Sequence, residues 1–147
     1  MAENNQEIER WFLPKYKLLP PLKNGTRIRQ GYLAEKPSVR IRLEEDEAGG
    51  KRADLTIKSA RAGISRKEVV IPISVELAEE LLPLSVLPLV LKIRYRIKLP
   101  GAAHPWEIDV FDGDNKGLIK VEIELDREDE EIVLPEWIFT EVTYDEA

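Results

Sequence analysis

Leu89-Val90-Leu91-Lys92-Ile93-Arg94-Tyr95-Arg96-Ile97-Lys98-Leu99 alternates apolar and cationic residues from Leu91 onward. A period of two is the strand signature, because successive side chains leave a strand on opposite faces. One face of this segment carries Lys92, Arg94 and Arg96, the other Ile93, Tyr95 and Ile97. The same alternation recurs in Glu7–Leu13, Thr26–Leu33, Ser38–Glu44, Ala53–Ser59, Arg66–Ile73, Trp106–Phe111 and Leu118–Leu125, giving eight expected strands with Leu89–Leu99. Turn signals punctuate them: Asn24-Gly25, Gly49-Gly50, Ala62-Gly63, Pro100-Gly101 and Asp112 to Gly117. Val75–Leu82 is the one segment with a helical reading, capped by Ser74 and stopped by Pro83, and a second helical turn is expected after Leu134-Pro135. Short connectors favour antiparallel hairpins. The expectation is a single mostly-β domain over residues 1–147.

Sorting each strand by face segregates the charges. Glu7 and Glu9 share a face with Trp11; Glu107 goes with Asp109, and Glu122 with Glu124. Arg40 and Arg42 share a face, as do Thr56 and Lys58. The opposite faces are apolar: Ile8 and Phe12, Val39 and Ile41, Leu55 and Ile57, Ile108 and Val110, Val121 and Ile123. Eight strands can close into a barrel wide enough to hold a small ligand. With the charged face inward, the lumen would set a carboxylate cluster beside a cationic cluster, and an anion with its metal ion would satisfy both.

Composition removes other classes. The 147 residues include no cysteine and a single histidine, with 22 Lys and Arg against 28 Asp and Glu. Disulfides, thiolate metal sites, cysteine nucleophiles and two-histidine mechanisms are excluded. A net charge of −6 argues against a nucleic-acid partner. No apolar run approaches the ~18 residues of a membrane helix. The acidic opening is neither a secretory signal nor a transit peptide, so the expected location is cytoplasmic. The absence of Cys, with abundant Glu, Lys, Leu and Pro, also suits a thermophile or a redesigned sequence. His104 is expected in a surface loop, Glu128–Glu131 in a solvated acidic loop, and Trp106 and Trp137 in apolar packing. Asp112–Gly117 fails as a calcium loop, since Lys116 and Ile123 occupy ligand positions.

Arg forks bind phosphate oxygens bidentately, and Lys adds point charges. Mg²⁺ and Mn²⁺ prefer oxygen ligands, commonly a few carboxylates with phosphate oxygens and water. Residues i and i+2 of a strand lie ~6.6 Å apart, so a Glu-x-Glu pair aims two carboxylates into one space. Two such pairs on facing strands would make a divalent-cation site.

These segments resemble the CYTH domain, or triphosphate tunnel metalloenzyme, family. The resemblance rests on Glu7-Ile8-Glu9-Arg10, Gln30-Gly31-Tyr32-Leu33, Val39-Arg40-Ile41-Arg42, Leu55-Thr56-Ile57-Lys58-Ser59 and Lys92-Ile93-Arg94-Tyr95. It continues through Trp106-Glu107-Ile108-Asp109-Val110-Phe111, Glu122-Ile123-Glu124-Leu125 and Leu134-Pro135-Glu136-Trp137. It implies an eight-stranded antiparallel closed β-barrel, with one or two short helices outside, that hydrolyses or cyclises triphosphates with Mg²⁺ or Mn²⁺. It also implies that Glu7, Glu9, Glu122 and Glu124 are metal ligands, with Asp109 positioning metal or water. Arg40, Arg42, Lys58, Lys92 and Arg94 would hold the phosphates of inorganic tripolyphosphate or a nucleoside triphosphate.

Two departures stand out. Where the family signature reads Glu-x-Glu-x-Lys, this chain has Trp11, and the bacterial branch usually continues past Glu141-Val142-Thr143 further than Ala147. They motivate two alternatives to a triphosphatase. One is a non-catalytic or engineered polyphosphate-binding tunnel; the other is a nucleotide cyclase in which Trp11 stacks a base. The outward apolar set Ile8, Phe12, Ile93, Tyr95, Ile97, Trp106, Ile108, Val110, Val121, Ile123 and Leu125 exceeds what one helix can cover, so a homodimer packed through the barrel wall is expected.

Overall fold

The computed structural model describes residues 6–143. Its strands are β1 (Gln6–Pro14), β2 (Thr26–Glu35), β3 (Ser38–Glu45), β4 (Lys51–Lys58), β5 (Ser65–Ile73), β6 (Val90–Ile97), β7 (Trp106–Asp112), β8 (Ile119–Glu124) and β9 (Ile138–Glu141), with one helix, α1 (Val75–Leu81). The order around the sheet is β5-β4-β3-β2-β6-β7-β8-β1, and β5 pairs back onto β1, so eight antiparallel strands close into a barrel. Gln6, Glu7 and Ile8 of β1 face Lys67, Arg66 and Ser65 at that seam.

Every expected strand is present, with ends moved by one or two residues, and α1 ends one residue early in a 3-10 turn at Leu82–Leu84. The Ser74 hydroxyl accepts the Leu77 amide at 3.0 Å, which caps α1. Gly25 leads into β2 where a Cβ would stand 2.5 Å from Ile93, so a side chain there would push β2 off β6.

Two expectations need correction. The segment after Leu134-Pro135 is a turn, closed by the Ile138 amide donating to the Pro135 carbonyl at 3.1 Å, and it leads into β9 rather than a helix. β9 pairs with the far end of β1, from Phe12↔Glu141 to Pro14↔Ile138. In the chain before it, Ile132 packs against the barrel wall while Val133 and Leu134 are exposed.

The second correction concerns that wall, which the chain itself covers. A barrel with a charged lumen must place its apolar clusters outside. The larger cluster holds Phe12, Ile64, Trp106, Ile108, Val121, Ile123, Leu125, Trp137 and Ile138, with Ile8, Tyr95, Ile97, Leu19, Leu22 and Ile132 packed against it. Trp106 meets Phe12 edge-on at 5.5 Å and Trp137 at 5.7 Å. Loop residues at 19–22 and the stretch before β9 thus bury most of the set expected to be exposed, and Ile93 and Val110 are half-buried. On the other side α1 lays Ala78 over Ile41, Leu43 and Ala53. The open apolar face that motivated a dimer is therefore absent among the described residues. No helix among them is long and apolar enough to cross a membrane.

A charged tunnel as the candidate active site

Strand parity turns the charged faces inward. A cavity of roughly 630 Å³ runs through the barrel, and all ten residues expected at the site line it: Glu7, Glu9, Arg40, Arg42, Lys58, Lys92, Arg94, Asp109, Glu122 and Glu124. Sequence reasoning assigned no role to four more lining residues, Gln30, Arg66, Glu68 and Lys120. Parity could have found them. Lys120 lies two residues from Glu122, and Arg66 faces Glu7 across the β1–β5 seam.

Ion pairs divide the lumen. The Lys58 ammonium donates to Glu7 at 2.8 Å, and Arg66 Nε donates to the other Glu7 oxygen at 3.0 Å. Burial alone would raise the Glu7 carboxyl, but the Lys58 charge and the hydrogen bonds from Lys58 and Arg66 hold it at about 2. Asp109 takes the Lys92 ammonium at 2.8 Å and a bidentate fork from Arg94 at 2.8 and 2.9 Å. Its burial is likewise overcome, and its carboxyl sits at about 2. Arg94 also donates to Glu122 and lies 3.4 Å from Glu107. Burial, together with the nearby Arg94 and Arg42 charges, brings Lys92 down to about 8.

Other groups are less well compensated: among the described residues Glu9 pairs only with the Arg66 guanidinium, at 3.9 Å. Burial, then the charges of Glu122 and Glu7, push the Glu9 carboxyl up to about 8. Glu124, beside Glu9 in the β1–β8 register, is raised by burial and by Glu7, Glu68, Glu107 and Glu122. Across the tunnel, Arg40 hydrogen-bonds Thr56 at 3.4 Å, and among the described residues its buried Nε has no partner. Arg42 donates to the Gln30 side-chain amide oxygen at 3.0 Å, with the Glu44 carboxylate at 3.8 Å. The lumen therefore crowds carboxyl groups on the β1–β8 wall and leaves underused guanidinium on β3.

That imbalance fits a divalent cation. Burial and neighbouring carboxylates raise both Glu9 and Glu124, and a bound cation would supply positive charge beside them. The four glutamates do not already converge, since Glu7 is drawn to Lys58 and Arg66, and Glu122 to Arg94. Among the described residues, the one group of three ligand atoms within 4.8 Å of each other is His104, Asp126 and Glu130, outside the tunnel. There His104 Nε2 lies 2.6 Å from Glu130, whose other oxygen accepts the Asp126 amide. His104 lies in the loop between β6 and β7 as expected, and of Glu128–Glu131 only Glu130 is half-buried rather than exposed.

Trp11 faces the lumen as parity requires. The Lys120 ammonium lies 4.0 Å from its ring centroid and the Arg61 guanidinium 4.4 Å. The indole is a seat for two cations of this chain, which leaves it poorly placed to stack a base.

The CYTH domain family profile matches residues 5–146. The chain belongs to the CYTH family. An inorganic triphosphatase of Acetivibrio thermocellus is 38 % identical over 143 residues, covering 95 % of this chain and 87 % of the relative. One of Nitrosomonas europaea is 37 % identical over 146 residues, covering 95 % and 90 %. The crystal structure of the inorganic triphosphatase NE1496 shares the fold at TM-score 0.62 and 34 % identity, over 95 % of this chain and 90 % of that one. The eight-stranded antiparallel barrel that the family resemblance implied is the observed architecture.

Proposed function

We propose that this CYTH protein is a metal-dependent triphosphatase that hydrolyses inorganic tripolyphosphate or a related linear triphosphate inside its tunnel. The observation that carries the reading is the opposition of underused Arg40 and Arg42 to the crowded carboxyls Glu9 and Glu124 across one cavity. A polyanion would engage the first pair while a divalent cation engages the second. The relatives named inorganic triphosphatase support the same substrate class.

In this reading Glu7, Glu9, Glu122 and Glu124 hold Mg²⁺ or Mn²⁺. When bound, the metal supplies charge neutralisation and orients the terminal phosphoryl group for attack by water. Arg40 and Arg42 bind phosphate oxygens as forks, and Lys58, Lys92 and Arg94 add positive charge. Asp109 works through its neighbours: its three hydrogen bonds fix the direction of Lys92 and Arg94 before substrate arrives. The closed barrel wall restricts water around the phosphates, which strengthens each of these contacts.

Phosphorus NMR of tripolyphosphate and ATP incubated with Mn²⁺ tests the reading. Phosphate and pyrophosphate from tripolyphosphate are expected. Cyclic nucleotide from ATP would install the cyclase in its place, and bound but intact tripolyphosphate would reduce the protein to a binder. The reading includes a cytoplasmic location, in keeping with a cysteine-free chain. It also includes a homodimer, now through the exposed run of Leu84, Val86, Leu87 and Leu89 beside α1 rather than the covered barrel wall.

A further inference from the structure

Most lumen cations are already neutralised by carboxylates of the barrel. Lys58 and Arg66 are bound to Glu7, Lys92 and Arg94 to Asp109, and Arg96 to Glu107. Lys120 differs. It shares the inward face of β8 with Glu122 and Glu124 and lines the cavity. Its register partner on β7 is Asp109, whose carboxylate is saturated by Lys92 and Arg94 and does not take it. Among the described residues its ammonium makes no ion pair and rests on the Trp11 ring at 4.0 Å. A π face holds an ammonium in place without neutralising it and occupies none of its N–H groups. All three donors remain available to an anion.

The location matters as much as the charge. Around the barrel β8 lies four strands from β3 in either direction, so Lys120 sits on the wall diametrically opposite Arg40 and Arg42. A linear triphosphate carries negative charge at both ends, and cation stations on opposite walls match that distribution. A shorter anion spans less of the lumen and has less charge to share between the two walls.

We propose that Lys120 is a substrate-binding residue of the tunnel, held over Trp11, that grips the end of a linear triphosphate opposite the end held by Arg40 and Arg42. This rests on the triphosphate reading of the tunnel and adds the residue that measures substrate length.

The test compares wild type, Lys120→Met and Lys120→Arg by calorimetric titration with tripolyphosphate and with pyrophosphate in metal-free buffer. Phosphate release with Mn²⁺ is measured in parallel, and thermal melts establish that each variant folds. Lys120→Met should weaken tripolyphosphate binding and raise KM about tenfold or more, the size of one charge-assisted contact. It should change kcat less than about threefold and pyrophosphate binding little. Lys120→Arg should restore tripolyphosphate binding to within about threefold of wild type, because charge and reach are kept. Wild-type affinity in Lys120→Met, equal losses for the two anions, or no rescue by Arg would each overturn the proposal. Wild type that binds tripolyphosphate without hydrolysing it would refute the hydrolytic reading alone, with the calorimetric arm still deciding Lys120. Wild type that neither binds nor hydrolyses it would overturn both.

Discussion

Glu9 is where the metal-free tunnel is under most electrostatic tension, and its titration makes that measurable. Its carboxyl stands at about 8 in the fold against an ordinary 4.5, through burial and the charges of Glu122 and Glu7. The folded state therefore binds this proton more tightly than the unfolded chain. The stabilisation is fully present below pH ~4.5 and is lost as pH rises through about 8. Stability of the metal-free protein should fall between pH 5 and 8, and Glu9→Gln should flatten that slope; urea unfolding across the range checks it. Lys92, lowered to about 8, acts in the opposite sense but only above this window. An unchanged slope in Glu9→Gln would remove the tension argument. Mn²⁺ should also abolish the decline in wild type, because the cation takes over the proton's task. The inward direction of Glu9, Arg40 and Lys92 was legible in the sequence, because parity depends only on neighbouring residues. Which carboxylate each cation takes was not. Glu7 draws its partners from positions 51 and 59 residues away, and only the closed barrel's register sets them together.

At the scale of elements, the long alternating strands declared themselves, and β9 did not. It has four residues, one of them buried, and its partner strand lies at the opposite end of the chain. So short a segment carries no period of its own. The turn before it matters more than its length suggests, because it delivers Trp137, 5 % exposed, onto Trp106 and the outer wall. Trp137→Ala should cost about 3–5 kcal/mol in denaturant unfolding. A loss under about 1 kcal/mol, the size of an ordinary surface substitution or cap, would mean the wall does not depend on that cover. α1 was legible because its signals are local: Ser74 accepts the Leu77 amide, and Pro83 ends the run. Ser74→Ala should cost about 1 kcal/mol by the same measurement, with activity unchanged, since α1 packs outside the tunnel.

For the whole molecule, the polarity of the barrel is the reverse of an ordinary small domain: charges fill the interior, and the apolar clusters lie on its outer wall. Strand faces gave that inversion from sequence, but not what covers the wall, since the covering chain comes from turns and loops without periodicity. The proposed dimer surface consequently shrinks to the exposed run near α1. Light scattering should give about twice 16.9 kDa, and Leu87→Asp should shift it to the monomer; a monomeric wild type would remove the dimer from the account. The inversion also gives the tunnel its purpose, since opposed charges inside a stable barrel cost folding energy unless something binds between them. The most direct measurement is phosphate release from tripolyphosphate with Mn²⁺, comparing wild type with the Glu122→Gln/Glu124→Gln double variant. The account predicts turnover by wild type that vanishes on chelation and falls at least about a hundredfold in the variant. Equal rates in the two proteins would contradict it.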